Sequence, residues 1–124
     1  SRGLGDVYKR QEQEVKVPEK VWPLRIWYMY DQDVCTLIDV NERERKVKIK
    51  NYTDKIMFRA FGVMEEPDYN QYIEFLESRC FPESRDKMKL ILKDLGLPFY
   101  DPIMIIEKTE GRMAEDDFWI RIER

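Results

Sequence analysis

Hydrophobic positions in this chain change period twice. From Trp22 to Tyr30 the residues are aromatic and β-branched, with Leu24, Ile26, Tyr28 and Tyr30 on one face and Arg25, Trp27 and Met29 on the other. Pro23 fits only at a strand start or on an edge. Asp31-Gln-Asp33 is turn chemistry, Val34 to Val40 makes a second strand, and Asn41-Glu-Arg-Glu44 a second turn. Arg45 to Tyr52 then alternates, with Val47 and Ile49 against Lys46, Lys48 and Lys50. This pattern predicts an antiparallel meander with one buried face.

After an apolar connector, Ile56 to Gly62, expected as a strand fragment, the period becomes helical. Asp68 is placed to cap a helix whose Tyr69, Tyr72, Ile73 and Leu76 recur at helical spacing to about Cys80. Pro82 stops it, and Ser84 is a candidate cap for a second helix with Met88, Ile91, Leu92 and Leu95 inward. Gly96 and Pro98 end that one. Asp101-Pro102 opens a third, shorter helix carrying Ile103 and Ile106 inward, and Gly111 closes it. Phe118, Ile120 and Ile122 alternate with Trp119, Arg121 and Glu123 as a closing strand. The expected fold is α+β: an antiparallel meander of three to four strands, two to three helices, and a C-terminal strand returning to the sheet.

Length permits one domain, over 21–124. Residues 1–20 read as a lead-in: Ser1 to Gln11 resembles a translated sequencing-adaptor tail, and Glu12 to Lys20 is polar and expected to be mobile. The net charge is −3; without Arg2, Lys9, Arg10 and Asp6 it is 19 basic against 24 acidic residues, or −5. Such a balance gives no global drive towards nucleic acid or anionic membrane. With no apolar run of membrane-spanning length and two widely spaced cysteines, Cys35 and Cys80, the chain reads as soluble, cytoplasmic and reduced.

Candidate chemistry is sparse. The absence of histidine removes the usual general base, and no glycine-rich phosphate loop is present. Glu115, Asp116 and Asp117 are adjacent carboxylates whose side chains diverge, so they make a poor metal site. The reading is of no enzyme, no cofactor and no metal. Arg79 and Arg85 flank Pro82 and admit two readings: a clamp for an anion, or a brace in which one of them bridges to Asp116 or Asp117. Trp119 is either a satellite-core residue or an aromatic anchor. Lys46, Lys48 and Lys50 are either a basic stripe or a solvated sheet face.

The run Tyr72-Ile-Glu-Phe-Leu-Glu-Ser-Arg-Cys-Phe-Pro-Glu-Ser-Arg85, the helix Met88 to Leu95, and Asp117-Phe-Trp-Ile120 resemble the small N-terminal module of HipA-like kinases. That module carries W-x-x-R-x-x-P-x-(S/T)-R, a helix, then D-x-(Y/F)-W-I. Arg79, Pro82, Ser84, Arg85, Asp117 and Trp119 match; Tyr72 or Phe75 stands where a Trp is common, and Gly111-Arg-Met-Ala-Glu-Asp116 departs. The kinase core of that family is absent. The resemblance implies an accessory or regulatory module of a toxin–antitoxin or mobile-element system that binds a protein: a kinase, a repressor or a nuclease. Its candidate partner-binding residues are Arg79, Pro82, Ser84, Arg85, Arg112, Asp117 and Trp119. Alternatives are an inhibitor of a host defence nuclease, and a nucleic-acid accessory factor using the lysine stripe with Arg85, Lys89 and Lys93.

Overall fold

The computed structural model describes residues 17–124. The adaptor-like run and most of the lead-in lie outside the described residues. Strands β1 (Leu24–Tyr30), β2 (Asp33–Asn41) and β3 (Lys46–Asn51) form the meander. Helices α1 (Tyr69–Ser78), α2 (Met88–Leu95) and α3 (Pro102–Thr109) follow, and β4 (Phe118–Glu123) closes the chain. The four-stranded sheet has the order β3-β2-β1-β4, antiparallel throughout. The fold is α+β, with the meander, the helices and the returning strand in the expected sequence.

Local chemistry sets most boundaries. Asp68 and Gln71 form a reciprocal capping box at the start of α1, each side chain bonded to the other's backbone N–H. Gly96 ends α2 at φ +74°, and Asp101 accepts from the Ile103 N–H with Pro102 in the first turn of α3. The core lies between the helices and one sheet face. Tyr72, Phe75 and Leu76 of α1 and Ile103 and Ile106 of α3 meet Leu24, Ile26, Tyr28, Ile38, Val40 and Ile120. Cys35, the extra residue at a bulge opposite Tyr28 and Met29, also points into this core. A smaller cluster joins Leu92 of α2 to Cys80 and Ile105, so α2 packs outside α3 rather than in the main core.

Four expectations change. The Ile56 to Gly62 connector begins as a 3-10 turn, Ile56–Phe58, and not as a strand. Helix α1 buries Tyr72, Phe75 and Leu76 and leaves Ile73 half-exposed, a rotation of the expected stripe. Ser84 does not cap α2; that helix starts at Met88, after Lys87 turns the chain at φ +60°.

The largest correction concerns the sheet, whose second face is also covered. Arg25, Met29, Leu37 and Asp39, all turned away from the helices, are at most 6 % exposed. Arg25 and Asp39 are direct neighbours across β1 and β2, bonded at 2.7 and 3.0 Å. The Arg25 guanidinium also reaches back to the Pro18 carbonyl at 2.8 Å, so this end of the lead-in is held on the sheet. A row of alternating charge, Glu123–Arg25–Asp39–Lys48, crosses all four strands. Beside it the Trp27 ring lies under Arg121 and donates to Glu123 at 3.0 Å. Alternation with one buried face put Arg25, Trp27 and Met29 on the solvent side; pairing of opposite charges on adjacent strands lets Arg25 and Asp39 be buried.

Candidate partner-binding site

Arg79 stands one helical turn beyond Phe75 and Leu76, so the apolar stripe of α1 carries its stem inward. It is 6 % exposed. Its Nε donates to the Gly111 carbonyl at 3.0 Å, Nη1 and Nη2 to the two Asp116 oxygens at 3.0 Å each, and Nη2 also to the Phe118 carbonyl at 3.1 Å. Tyr28 and Phe118, stacked at 4.8 Å, lie 5.9 Å from its guanidinium carbon. Between the clamp and the brace, the geometry is that of the brace, through Asp116.

Asp116 completes the junction. Its Oδ1 also accepts the Phe118 N–H at 3.0 Å. The hydrogen bonds from Arg79, followed by that from Phe118, hold its carboxyl below the usual carboxylate range. Gly111, at φ +63°, lies so close to Ile120 that a Cβ would sit 3.0 Å from that side chain. The preceding residue, Glu110, has φ +59° and offers its carbonyl to the Ile120 N–H at 2.7 Å. The end of α3 is thereby fastened to β4.

The other candidate residues face outward to different degrees. Pro82, Ser84 and Arg85 are exposed in a turn closed by the Arg85 N–H on the Pro82 carbonyl. The Arg85 guanidinium lies 5.9 Å from the Phe81 ring. Arg79 turns inward and Arg85 outward, so the two do not share an anion between them. Arg112 is exposed, stacks over the Trp119 ring at 5.0 Å and bonds Glu110 at 2.8 Å. Trp119 is half-buried, with its Nε1 donating to the Asp31 carbonyl at 2.6 Å. Asp117 presents an exposed carboxylate while its carbonyl accepts from the Asp31 N–H at 3.2 Å. Arg79 therefore ties the C-terminal end of α1, just before the Pro82–Arg85 turn, to the segment that carries Arg112, Asp117 and Trp119.

The thiols are poor nucleophiles. Burial pushes Cys35 up to about 11 and raises Cys80, which lies 3.6 Å from the Tyr100 hydroxyl. Among the described residues no group of three or more His, Cys, Asp or Glu could hold a metal ion, the Glu115–Asp117 run included. No described helix is long and apolar enough to cross a membrane. Two features carry no local sequence signal: the buried Arg25–Asp39 pair, and the outward-facing Met57 and Val63, 83 % and 73 % exposed. The cue for Arg79 itself was available, since it continues the i, i+3, i+7 series from Tyr72. No family model, curated protein or solved structure matches the chain.

Proposed function

We propose that the protein is a protein-binding accessory module of a HipA-like toxin–antitoxin or mobile-element system, acting in the cytoplasm on a kinase partner. The supporting observation is the Arg79 junction. One buried guanidinium fixes the loop that carries Arg112, Asp117 and the Trp119 ring, and the same arginine stands three residues before the exposed turn with Pro82, Ser84 and Arg85. A surface fixed before binding loses little conformational entropy on association, and arginine beside a partly covered aromatic ring is the composition of a binding hot spot. Neither buried thiol nor the carboxylate run offers a reacting group, which favours binding over chemistry.

The test is titration of the purified protein with a HipA-like kinase that lacks its own small N-terminal module, read by calorimetry. A saturable complex is expected, weakened at least tenfold by Arg85→Glu or Arg112→Glu while the thermal midpoint stays near that of the parent. Absence of a complex, or one indifferent to both substitutions, would overturn the assignment.

A further inference from the structure

The two edges of the sheet are finished differently. In β4 the main-chain groups of Phe118, Ile120 and Ile122 point away from β1, because the Asp31 N–H bonds to the Asp117 carbonyl and pairing alternates from there. Three of those groups are closed within the chain. The Phe118 N–H meets Asp116, the Phe118 carbonyl meets Arg79, and the Ile120 N–H meets the Glu110 carbonyl. At the other edge, the Tyr52 N–H bonds to the Cys35 carbonyl. Lys50, Lys48 and Lys46 therefore face β2, and the main-chain groups of Val47, Ile49 and Asn51 point outward. Among the described residues no strand, helix end or side chain closes them.

We infer that the outer edge of β3 is a docking strand for an extended segment of a partner protein in which acidic and apolar residues alternate. An added strand places its side chains beside those of β3 on both faces, with opposite Cβ atoms about 5 Å apart. On one face it meets Lys46 and Lys48, both exposed. On the other it meets Val47 and Ile49, half-exposed at the rim of the main core. The complementary strand therefore carries carboxylates at every second position and apolar side chains between them. A second copy of this chain does not fit. Antiparallel pairing of β3 with itself sets lysine against lysine, which is destabilising. The lysines thus bar self-association through an open edge, as edge lysines commonly do, while leaving an acidic strand admissible. Main-chain pairing supplies affinity and the alternating side chains supply selectivity. Because β3 and β4 are opposite edges, this surface is separate from the one proposed for the kinase, and either can fail without the other.

The experiment uses the whole 124-residue chain, isotope-labelled, and a blocked heptapeptide of alternating Glu and Val or Ile as the probe. Amide hydrogen exchange at Val47, Ile49 and Asn51 is expected to slow at least tenfold on saturation, with Ile120 unchanged. Alternate N-methylation of the peptide should abolish the effect by removing its main-chain donors. The surface variant Lys46→Glu/Lys48→Glu should lose the acidic peptide and take up its lysine counterpart. The inference is overturned by no binding up to about 1 mM, or by binding that leaves those three amides unprotected. It is equally overturned if protection in the free protein rises with its own concentration, which would mean self-pairing.

Discussion

Arg79 grips both carboxylate oxygens of Asp116 at 3.0 Å, and this pair joins the end of α1 to the start of β4 across 37 positions of chain. The arginine is buried and the Asp116 side chain about a third exposed, so the partners differ in what their loss costs. Replacing Arg79 by Met leaves the Gly111 and Phe118 carbonyls without their donor and Asp116 without its counter-charge. The expected destabilisation is about 3 kcal/mol, against about 1 kcal/mol for Asp116→Asn, which keeps an acceptor for Phe118. Denaturant midpoints of the two variants check this order.

The same pair gives the stability a pH dependence of known sign. A carboxyl held below its unfolded value contributes stability that is complete above the ordinary Asp pKa, about 3.9, and is lost as pH falls through the lowered folded-state value. The gap between wild type and Asp116→Asn should be constant near neutrality and shrink below about pH 4. A gap that persists undiminished in acid would mean that charge plays no part in the junction.

On the far face of the sheet, Arg25 and Asp39 are buried together at 3 % and 6 % exposure. Asp39→Leu alone should cost about 3 to 4 kcal/mol, because it strands a guanidinium away from water. The double variant Arg25→Met/Asp39→Leu should recover most of that loss, since an apolar pair needs no such compensation. A double-mutant cycle by chemical denaturation measures the coupling.

Two glycines with positive φ separate backbone strain from crowding. Gly96 has open space around it, and Gly96→Ala should cost about 1 kcal/mol from its left-handed conformation alone. Gly111→Ala adds a Cβ 3.0 Å from Ile120 and 3.5 Å from Arg79, and should cost about 2 to 3 kcal/mol. Equal losses would show that the Ile120 side chain yields freely.

Tyr72 carries a hydroxyl that is fully buried and without a hydrogen-bond partner among the described residues, and burial raises its pKa far above the usual phenol value. Tyr72→Phe should therefore leave stability within about 0.5 kcal/mol or raise it. A loss above about 1 kcal/mol would reveal a partner for the hydroxyl in solution.

What was legible in the sequence was what nearest neighbours decide. The Asp68 cap, Gly96 and Asp101-Pro102 are local devices, and alternation alone set Phe118, Ile120 and Ile122 on one face of a strand. The Arg79 brace was readable as one of two options, because helical spacing from Tyr72 sends it inward while charge argues for solvent. The rest depended on groups distant in sequence. Arg25 looks like a solvent-facing residue until Asp39 is known to lie opposite it. Ser84 has the chemistry of a cap, but Lys87 reverses the chain three residues later and moves the helix start to Met88. Which outer strand keeps its main-chain groups unclosed among the described residues could not be read without the strand order.

Strand order also bears on how the chain reaches this state. β1, β2 and β3 are joined by short turns and can pair early, whereas β4 must return across a span such as that between Trp27 and Glu123, 96 positions apart. Until it does, β1 is an outer strand with Leu24, Ile26 and Tyr28 uncovered along one side. A molecule in which β4 has not yet docked exposes an apolar margin that the finished sheet hides, and loosening of the Arg79 junction is expected to favour aggregation.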